Sequence, residues 1–304
     1  MFKKLLVNII KFIFPLAILL LILILFPANK ESQGYLNSYL DKISNLENHK
    51  TKSIIFLGGS NLVFGLDSKL IEDSFNIKVL NLGLQASLGI IFQMDQVEEY
   101  VNKGDIVILV PEYDQYIGFN AWGTGATLTK TIMHTNPNDI FRLRLRQIIQ
   151  ILPYLTNESV EKLKRWRKDD YPNKERSQFN KNGDFIGHLN LPNRPKGKFN
   201  YKLEDNAKEN IFIAINEFKN RLTKIGVSCY LLPPPYPIEL YNLNKSNIDK
   251  INSFTKKHSI PFSCIPEHFL YPDSSFFEYP HHLNSVNRKD RTVKLIQIIK
   301  PYLN

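Results

Sequence analysis

The sequence predicts an α/β protein built on a parallel sheet and preceded by an N-terminal apolar helix. From residue 51 onwards, short apolar runs typical of buried strands alternate with segments of helical periodicity, and this alternation is typical of a parallel sheet. The run over residues 105–110 is apolar after its first position, as expected for a strand covered on both faces. The first 30 residues form the separate apolar helix.

This apolar helix is predicted to anchor the chain in a membrane. Residues 12–29 carry no charge, and Lys3, Lys4 and Lys11 precede them. A helix of this length reaches across the roughly 30 Å of a hydrocarbon core. The positive-inside rule then predicts a single-pass protein whose N-terminus is cytoplasmic and whose remaining chain lies outside the cytoplasmic membrane. The alternative is a cleaved signal peptide, which the long apolar run and the lack of a small-residue cleavage site disfavour.

We expect three parts along the chain. Residues 1–30 form the transmembrane anchor, 31–50 a polar and partly helical stalk, and 51–304 one globular domain. Residues 117–204 break the alternation of strands and helices, so we interpret them as a partly helical insertion at the edge of the site. The predicted strands are 53–57, 78–82, 105–110, 229–232 and 262–265, and the predicted helices include one opening at Asp67-Ser68, one ending near Glu99, and 205–224 and 285–300.

Composition and charge exclude several classes of protein. With 43% hydrophobic and 22% charged residues, the chain is not predicted to be disordered. The net charge is +10, of which four lysines in the first 30 residues supply four, so the remainder carries 35 − 29 = +6. No phosphate-binding loop, metal-ligand spacing or nucleic-acid motif is found. We therefore expect no metal, no cofactor and no nucleic-acid partner.

The candidate site combines a serine near the start of the domain with histidines near its end. The predicted strand 53–57 ends in two glycines, and Ser60 follows them directly. Glu278, His281 and His282 lie more than 200 residues later. A hydroxyl, an imidazole and a carboxylate that meet in space are what a serine hydrolase or acyltransferase needs. In a parallel sheet such loops converge beyond the carboxyl ends of the strands.

These motifs resemble those of the SGNH/GDSL hydrolase superfamily over about residues 51–116 and 229–300. Gly58-Gly59-Ser60 resembles the opening Gly-Asp-Ser block, with Gly59 in place of the aspartate. His282-Leu283 resembles the last block, and Glu278 stands where a subgroup of the family has its aspartate. The resemblance implies a three-layer, flavodoxin-like parallel sheet. It also implies Ser60 as nucleophile, His282 as base and Glu278 as the acid that orients it. His281 and Asp273 remain as alternatives for the last two roles.

The second and third blocks concern stabilisation of the oxyanion. Asn81-Leu82-Gly83 resembles the second block, which implies that the backbone N–H groups of Ser60 and Gly83 hold the oxyanion. The family's third block is Gly-x-Asn-Asp, and its asparagine side chain donates to the same oxyanion. This chain has Pro111-Glu112-Tyr113-Asp114 instead. We interpret Asn81, Glu112, Tyr113 and Asp114 as candidate substrate-binding residues, the last three with the alternative that they merely end a strand.

The anchored variant of the family suggests a function at the bacterial cell surface. With its N-terminal helix, the chain resembles membrane-attached SGNH-like proteins of surface-polymer modification, which include O-acetyltransferase partners in exopolysaccharide synthesis and the D-alanylation protein of Gram-positive walls. The expectation is a serine esterase or O-acyltransferase, acting on an extracytoplasmic polysaccharide or glycoconjugate. Its expected partners are the cytoplasmic membrane, that polymer and a multi-span membrane acyltransferase.

The alternative is a protein of the same fold without catalysis, which binds glycan or assists a membrane acyltransferase. Gly59 and the missing third-block asparagine favour this alternative, whereas Ser60 and His282 oppose it.

Overall fold

The protein is an α/β structure with a parallel sheet of four strands and an apolar helix at its N-terminus. A computed structural model describes residues 2–118, 120–166, 174–193, 199–203 and 207–303. The predicted insertion 117–204 and the predicted helix 205–224 lie partly outside these residues.

The bounds of the main elements are as follows. The strands are β1 Ser53–Gly58, β2 Lys78–Asn81, β3 Ile106–Val110, β4 Ser228–Leu231, β5 Tyr236–Pro237 and β6 Leu270–Tyr271. The helices are α1 Phe2–Leu25, α2 Ser38–Glu47, α3 Ser60–Gly65, α4 Ser68–Phe75, α5 Ile90–Val97, α6 Gly125–His134, α7 Leu145–Arg165, α8 Glu209–Lys224, α9 Ile238–Leu243, α10 Lys245–Lys257 and α11 Ser285–Ile299.

The sheet has the order β2-β1-β3-β4, and all its neighbouring strands are parallel. The first four predicted strands agree with these bounds to within one residue at each end. The fifth prediction, residues 262–265, was wrong as a strand: Phe262 makes a single parallel bridge to Leu231. Pro261 precedes it and Pro266 follows closely, and a proline has no N–H to give to a strand ladder.

Each face of the sheet is covered by helices. Along β1, Ile54 and Phe56 belong to the apolar cluster with α3, α4 and α11, whereas Ile55 and Leu57 belong to the cluster with α5 and α8. Every residue of β1 and of β3 is buried. The two-sided cover is the reason that these strands are continuously apolar instead of alternating. It also leaves the strand ends as the accessible part of the sheet.

The N-terminal helix α1 is long and apolar enough to span a membrane. Its 24 residues extend about 36 Å, and its most apolar window has a mean hydropathy of 2.7. Its carboxyl end is attached to the domain, because Ile24 is buried and its carbonyl accepts a 2.7 Å hydrogen bond from the Lys162 ammonium. The ring of Phe26 also meets Trp166 edge-on at 5.0 Å.

Residues 31–50, predicted as a stalk, pack against the domain. Tyr39, Lys42 and Leu46 on α2 are buried, and their spacing of three and four residues places them on one helix face. The Lys42 ammonium donates hydrogen bonds to the carbonyls of Asn81 and Gly183. Because α2 contacts β2, the segment covers that edge of the sheet and is part of the domain.

The described part of the insertion is held to the sheet by the buried carboxylate of Asp184. This side chain is fully buried. It accepts hydrogen bonds from the Ser68 N–H at 2.9 Å, the Asn81 amide at 2.8 Å and the Arg288 guanidinium at 3.1 Å. One carboxylate therefore joins the insertion to the N-terminus of α4, the end of β2 and α11.

Replacement of Asp184 is expected to destabilise the fold strongly. Asp184→Ala leaves the Arg288 charge and several buried donors without their acceptor, and breaking a buried pair in this way costs about 3–5 kcal/mol. Chemical denaturation of the full-length protein in detergent measures the loss. The control is Asp249→Ala, because Asp249 pairs with Lys245 at the exposed surface, where an ion pair contributes little. Equal effects of both variants would contradict the assignment.

Candidate active site

Ser60 is presented by a sharp turn at the carboxyl end of β1. Gly58 pairs with Val110 of β3, and a Cβ at Gly58 would lie only 2.3 Å from the Val110 carbonyl oxygen. The position therefore accepts only glycine. Gly59 is extended, with φ −86° and ψ −156°, and Ser60 then begins α3. The side chain of Ser60 is consequently placed beyond the strand ends, where it is partly exposed.

His282 is delivered by a closed loop between β6 and α11. An antiparallel bridge joins Phe276 to Leu283, and the Phe277 N–H donates to the His282 carbonyl at 2.7 Å. Within this loop His281 has φ +81°, in the left-handed region that non-glycine residues rarely adopt. The loop turns sharply at this residue, and the next side chain, His282, is directed at Ser60.

Three of the predicted site residues lie together. The distance between His282 Nε2 and Ser60 Oγ is 2.7 Å, and His282 Nδ1 lies 3.5 Å from Glu278 Oε1. The ring of Phe64 stacks on the His282 imidazole, with centroids 4.0 Å apart and an interplanar angle of 8°. Sequence reasoning missed Phe64. Its spacing of four residues from Ser60 on one helix is the signal that points to it.

Glu112 contacts the same serine from the other side. Its Oε1 lies 3.0 Å from Ser60 Oγ and accepts the Asn61 N–H at 2.8 Å. A Cβ at Gly59 would lie 2.4 Å from this oxygen. The Glu112 carboxyl, which follows β3, thus fills the space that a side chain at position 59 would need. Glycine at 59 and glutamate at 112 are therefore sterically linked.

Burial controls the charges around Ser60. It raises the pKa of Glu112, and the Asn61 N–H, the His282 charge and the Ser60 hydroxyl oppose this shift. Burial, together with the neighbouring Glu112, raises the pKa of Asp114 to about 6. His281 is fully enclosed, and burial lowers its pKa to about 4, so near neutral pH its ring is uncharged. The His281 Nδ1–H donates to the carbonyl of Pro235 at 2.8 Å.

Two predicted substrate-binding residues lie beneath the surface of the site. Asn81 is fully buried, and its amide donates to the Leu62 carbonyl at 2.9 Å. Its Oδ1 accepts the Gly83 N–H at 3.0 Å, so this predicted oxyanion donor already has an acceptor. Tyr113 is also fully buried and meets Tyr236 edge-on at 5.0 Å. Asn81 and Tyr113 therefore shape the site from below, whereas Glu112 and Asp114 reach its cavity.

The site opens into a cavity of about 600 Å³. Its aromatic lining includes Tyr35, which belongs to the predicted stalk, and Phe199 and Tyr201, which belong to the predicted insertion. Sequence reasoning had no signal for Tyr35, because a single tyrosine in a polar segment is unremarkable. Apart from its histidines, the titratable lining among the described residues is acidic or phenolic. The carboxylates are Glu112, Asp114, Glu175 and Glu278, and the aromatic residues are Tyr35, Phe64, Phe199, Tyr201, Tyr236 and Tyr279.

Arg291 supports the serine helix from within the core. It is fully buried on α11, and its guanidinium donates to the carbonyls of Asn61 at 2.8 Å and Gly65 at 3.1 Å. It thereby satisfies the carbonyl at the end of α3 and joins the first turn of this helix to α11. In the sequence Arg291 stands among lysines and arginines typical of an exposed helix face, so its burial could not be predicted.

No protein-family model matches this chain, and comparison with curated proteins returns no match. Function is therefore inferred from the geometry of the site and the motifs of the sequence.

The steric link between Gly59 and Glu112 is testable by a double-mutant cycle. Gly59→Ala alone is expected to lower the unfolding free energy, because its Cβ collides with the Glu112 carboxyl. In a Glu112→Ala background the same substitution is expected to cost less, with a coupling of about 0.5–3 kcal/mol. Denaturant unfolding of the wild type, both single variants and the double variant gives this value. Additive effects would show that the two positions are independent.

Proposed function

We propose that this protein is a membrane-anchored serine esterase or O-acyltransferase of SGNH type, which acts on an extracytoplasmic polysaccharide or glycoconjugate. The observation that carries the proposal is the 2.7 Å contact between Ser60 Oγ and His282 Nε2 at the wall of an open cavity. Glu278 near the other ring nitrogen completes a set of hydroxyl, imidazole and carboxylate.

The reaction follows from these positions. Ser60 Oγ adds to the carbonyl carbon of an acyl ester while its proton passes to His282 Nε2. The carbon–oxygen double bond becomes an oxyanion. When this adduct collapses, the bond to the leaving alcohol breaks and His282 returns the proton to the departing oxygen. Water or a sugar hydroxyl then attacks the acyl-serine by the same steps, which gives hydrolysis or transfer respectively.

The cavity favours an uncharged acceptor. Aromatic side chains such as Tyr201 and Tyr279 offer flat faces on which sugar rings pack. The carboxylates of Asp114, Glu175 and Glu278, which line the cavity, repel anionic groups at short range. These features support neutral sugar hydroxyls as acceptors in preference to phosphate-rich polymers.

One observation favours the rival function, a glycan-binding or accessory protein. The Gly83 N–H is engaged by Asn81 Oδ1, and removal of one oxyanion donor typically costs a factor of about 10² to 10³ in rate. A weak or absent catalytic activity would leave a cavity suited to sugar binding. Reaction with a serine-directed probe distinguishes the two functions without knowledge of the natural substrate.

Full-length protein in detergent is expected to be labelled by a fluorophosphonate at Ser60. Ser60→Ala removes the nucleophile and is expected to abolish labelling. His282→Ala removes the base and is expected to slow labelling by a factor of about 10² to 10⁴. In-gel fluorescence and mass spectrometry of the labelled peptide measure both effects.

Matched controls for this experiment are Ser253→Ala and His268→Ala, whose positions are exposed and do not line the cavity. Both are expected to label at the wild-type rate. Absence of labelling in folded wild-type protein would reject catalysis by Ser60 and favour the accessory function. Labelling that persists in Ser60→Ala would place the reactive group elsewhere.

The attachment of α1 to the domain supports a retained anchor over a cleaved signal peptide. Lys162 is buried, and its ammonium donates to the carbonyl of Ile24. Ala28, just beyond the helix, is also buried. Cleavage after the apolar run would remove the acceptor of a buried cation, which is costly. We therefore propose a single-pass anchor with the domain on the outer side, which is the orientation that the lysines near the N-terminus favour.

Helix α7 carries a second apolar stripe beside this anchor. Its buried face includes Ile151 and Leu155, which pack in the same cluster as Ile24 of α1. Leu145, Ile149 and Leu152, spaced by four and three residues, lie exposed at 73%, 60% and 56%. An amphipathic helix with such a stripe lies at a membrane interface with its apolar side in the headgroup region. Because α7 also packs against α1, we infer that the bilayer surface covers this stripe.

Spin labels report this placement directly. In lipid nanodiscs, with Cys229 and Cys264 replaced by serine, labels at Ile149→Cys and Leu152→Cys are expected to be accessible to oxygen and shielded from a water-soluble nickel chelate. A label at Val286→Cys, 75% exposed on α11, provides the aqueous control. Accessibility to the chelate at Ile149 equal to that at Val286 would reject contact with the bilayer.

A further inference from the structure

The single hydroxyl hydrogen of Ser60 decides whether Glu112 must be protonated to bond with it. Ser60 Oγ has a single hydrogen, yet it has two close partners, His282 Nε2 at 2.7 Å and Glu112 Oε1 at 3.0 Å. If His282 is to accept the serine proton, that hydrogen points at Nε2. An ionised Glu112 would then face the oxygen of Ser60 with lone pairs on both atoms. The contact becomes a hydrogen bond only if Glu112 carries the proton.

The surroundings of Glu112 favour its uncharged form. Its side chain is buried, and burial is the largest influence raising its pKa. The Asn61 N–H, which Oε1 accepts at 2.8 Å, opposes this influence. The charged and titratable groups that face it from the neighbouring elements are Tyr35, Asp114, Tyr236, His281, His282 and Arg291. Asp114 disfavours the carboxylate, whereas Arg291 and a protonated His282 favour it.

We propose that Glu112 acts as a neutral carboxylic acid, which donates a hydrogen bond to Ser60 Oγ in the resting site and to the oxyanion once the acyl carbon is attached. This inference rests on the proposed function and gives it a further catalytic residue. Such a donor would supplement the oxyanion site, because the Gly83 N–H is already bonded to Asn81 Oδ1.

In the first step Ser60 Oγ bonds to the acyl carbon, its hydrogen moves to His282 Nε2, and the carbonyl π electrons move to the carbonyl oxygen. The Glu112 hydroxyl then points its hydrogen at that oxygen and keeps it, so Glu112 is neither consumed nor ionised. A buried hydrogen-bond donor aimed at developing negative charge lowers the barrier because the charge finds it already in place. When the adduct collapses, the leaving alcohol takes the proton from His282, and the Glu112 hydroxyl turns back towards the ester oxygen of Ser60 while keeping its own hydrogen.

The test compares Glu112→Gln, Glu112→Ala and Asp114→Asn in the full-length protein. The readout is the rate of fluorophosphonate labelling at Ser60, followed across pH. In the wild type, labelling is expected to fall as pH rises through the pKa of Glu112, because the neutral donor is lost. Glu112→Gln keeps an amide donor that does not titrate, so it is expected to label within about tenfold of the wild type and to lose this alkaline decline. Glu112→Ala lacks a donor and is expected to be slower by a factor of about 10² to 10³.

Asp114→Asn is expected to retain the alkaline decline, which separates Glu112 from the adjacent carboxyl. Loss of labelling in Glu112→Gln to the level of Glu112→Ala would overturn the inference, because it would show that the ionised carboxylate is required. Disappearance of the decline in Asp114→Asn with its persistence in Glu112→Gln would also overturn it.

Absence of labelling in the wild type would overturn the proposed function itself, and this outcome is recognised before any Glu112 variant is compared. Far-ultraviolet circular dichroism of each variant excludes unfolding as the cause.

Discussion

The close approach of β1 and β3 at their carboxyl ends is the constraint on which the site depends. Gly58 touches the Val110 carbonyl so tightly that no side chain fits between the strands. The parallel register then carries the loop after β1 and the loop after β3 to the same place. Ser60 and Glu112 consequently lie within hydrogen-bond distance although 51 residues separate them. The loop that carries His282 closes over this pair. The fully buried Arg291 donates to the Asn61 carbonyl and so holds α3, the helix that begins at Ser60, beneath the loop.

The surroundings of the site are assembled from segments that lie far apart in the chain. The Lys42 ammonium joins α2 to the carbonyl of Asn81, and the Asp184 carboxylate joins the insertion to the amide of the same residue. Asn81 in turn orients the loop that contains Gly83. A change in the insertion is therefore transmitted to the floor of the site through one buried amide. The segment before β1 also contributes Tyr35 to the cavity, where its hydroxyl donates to the Leu84 carbonyl at 2.8 Å.

Much of the sheet was predictable because apolar periodicity and the glycine turn are local signals. The apolar runs identified β1 to β4, and the residues Ser60, Glu278 and His282 were identified from chemistry and order in the chain. Two kinds of feature were not accessible. The burial of α2 depends on which face of a polar helix meets the sheet, and the contact of Glu112 with Ser60 depends on the exact distance between two loops. Neither the buried face of α2 nor the distance between the two loops can be predicted from composition or residue spacing, because both are set only when distant elements pack together.

The hydrogen bond from Lys162 to the Ile24 carbonyl attaches the N-terminal helix directly to the domain, in place of a flexible linker. A catalytic domain on a flexible leash samples a volume set by the length of its linker. Here the hydrogen bond and the packed ring of Trp166 hold the end of α1 to the domain, so the cavity keeps a constant height above the anchor. Under the proposed function, encounters with an acceptor depend on how densely polymer chains crowd the layer next to the bilayer. Chain segments that have grown beyond that layer pass out of reach, so modification by such a protein would be confined to polymer near its point of emergence.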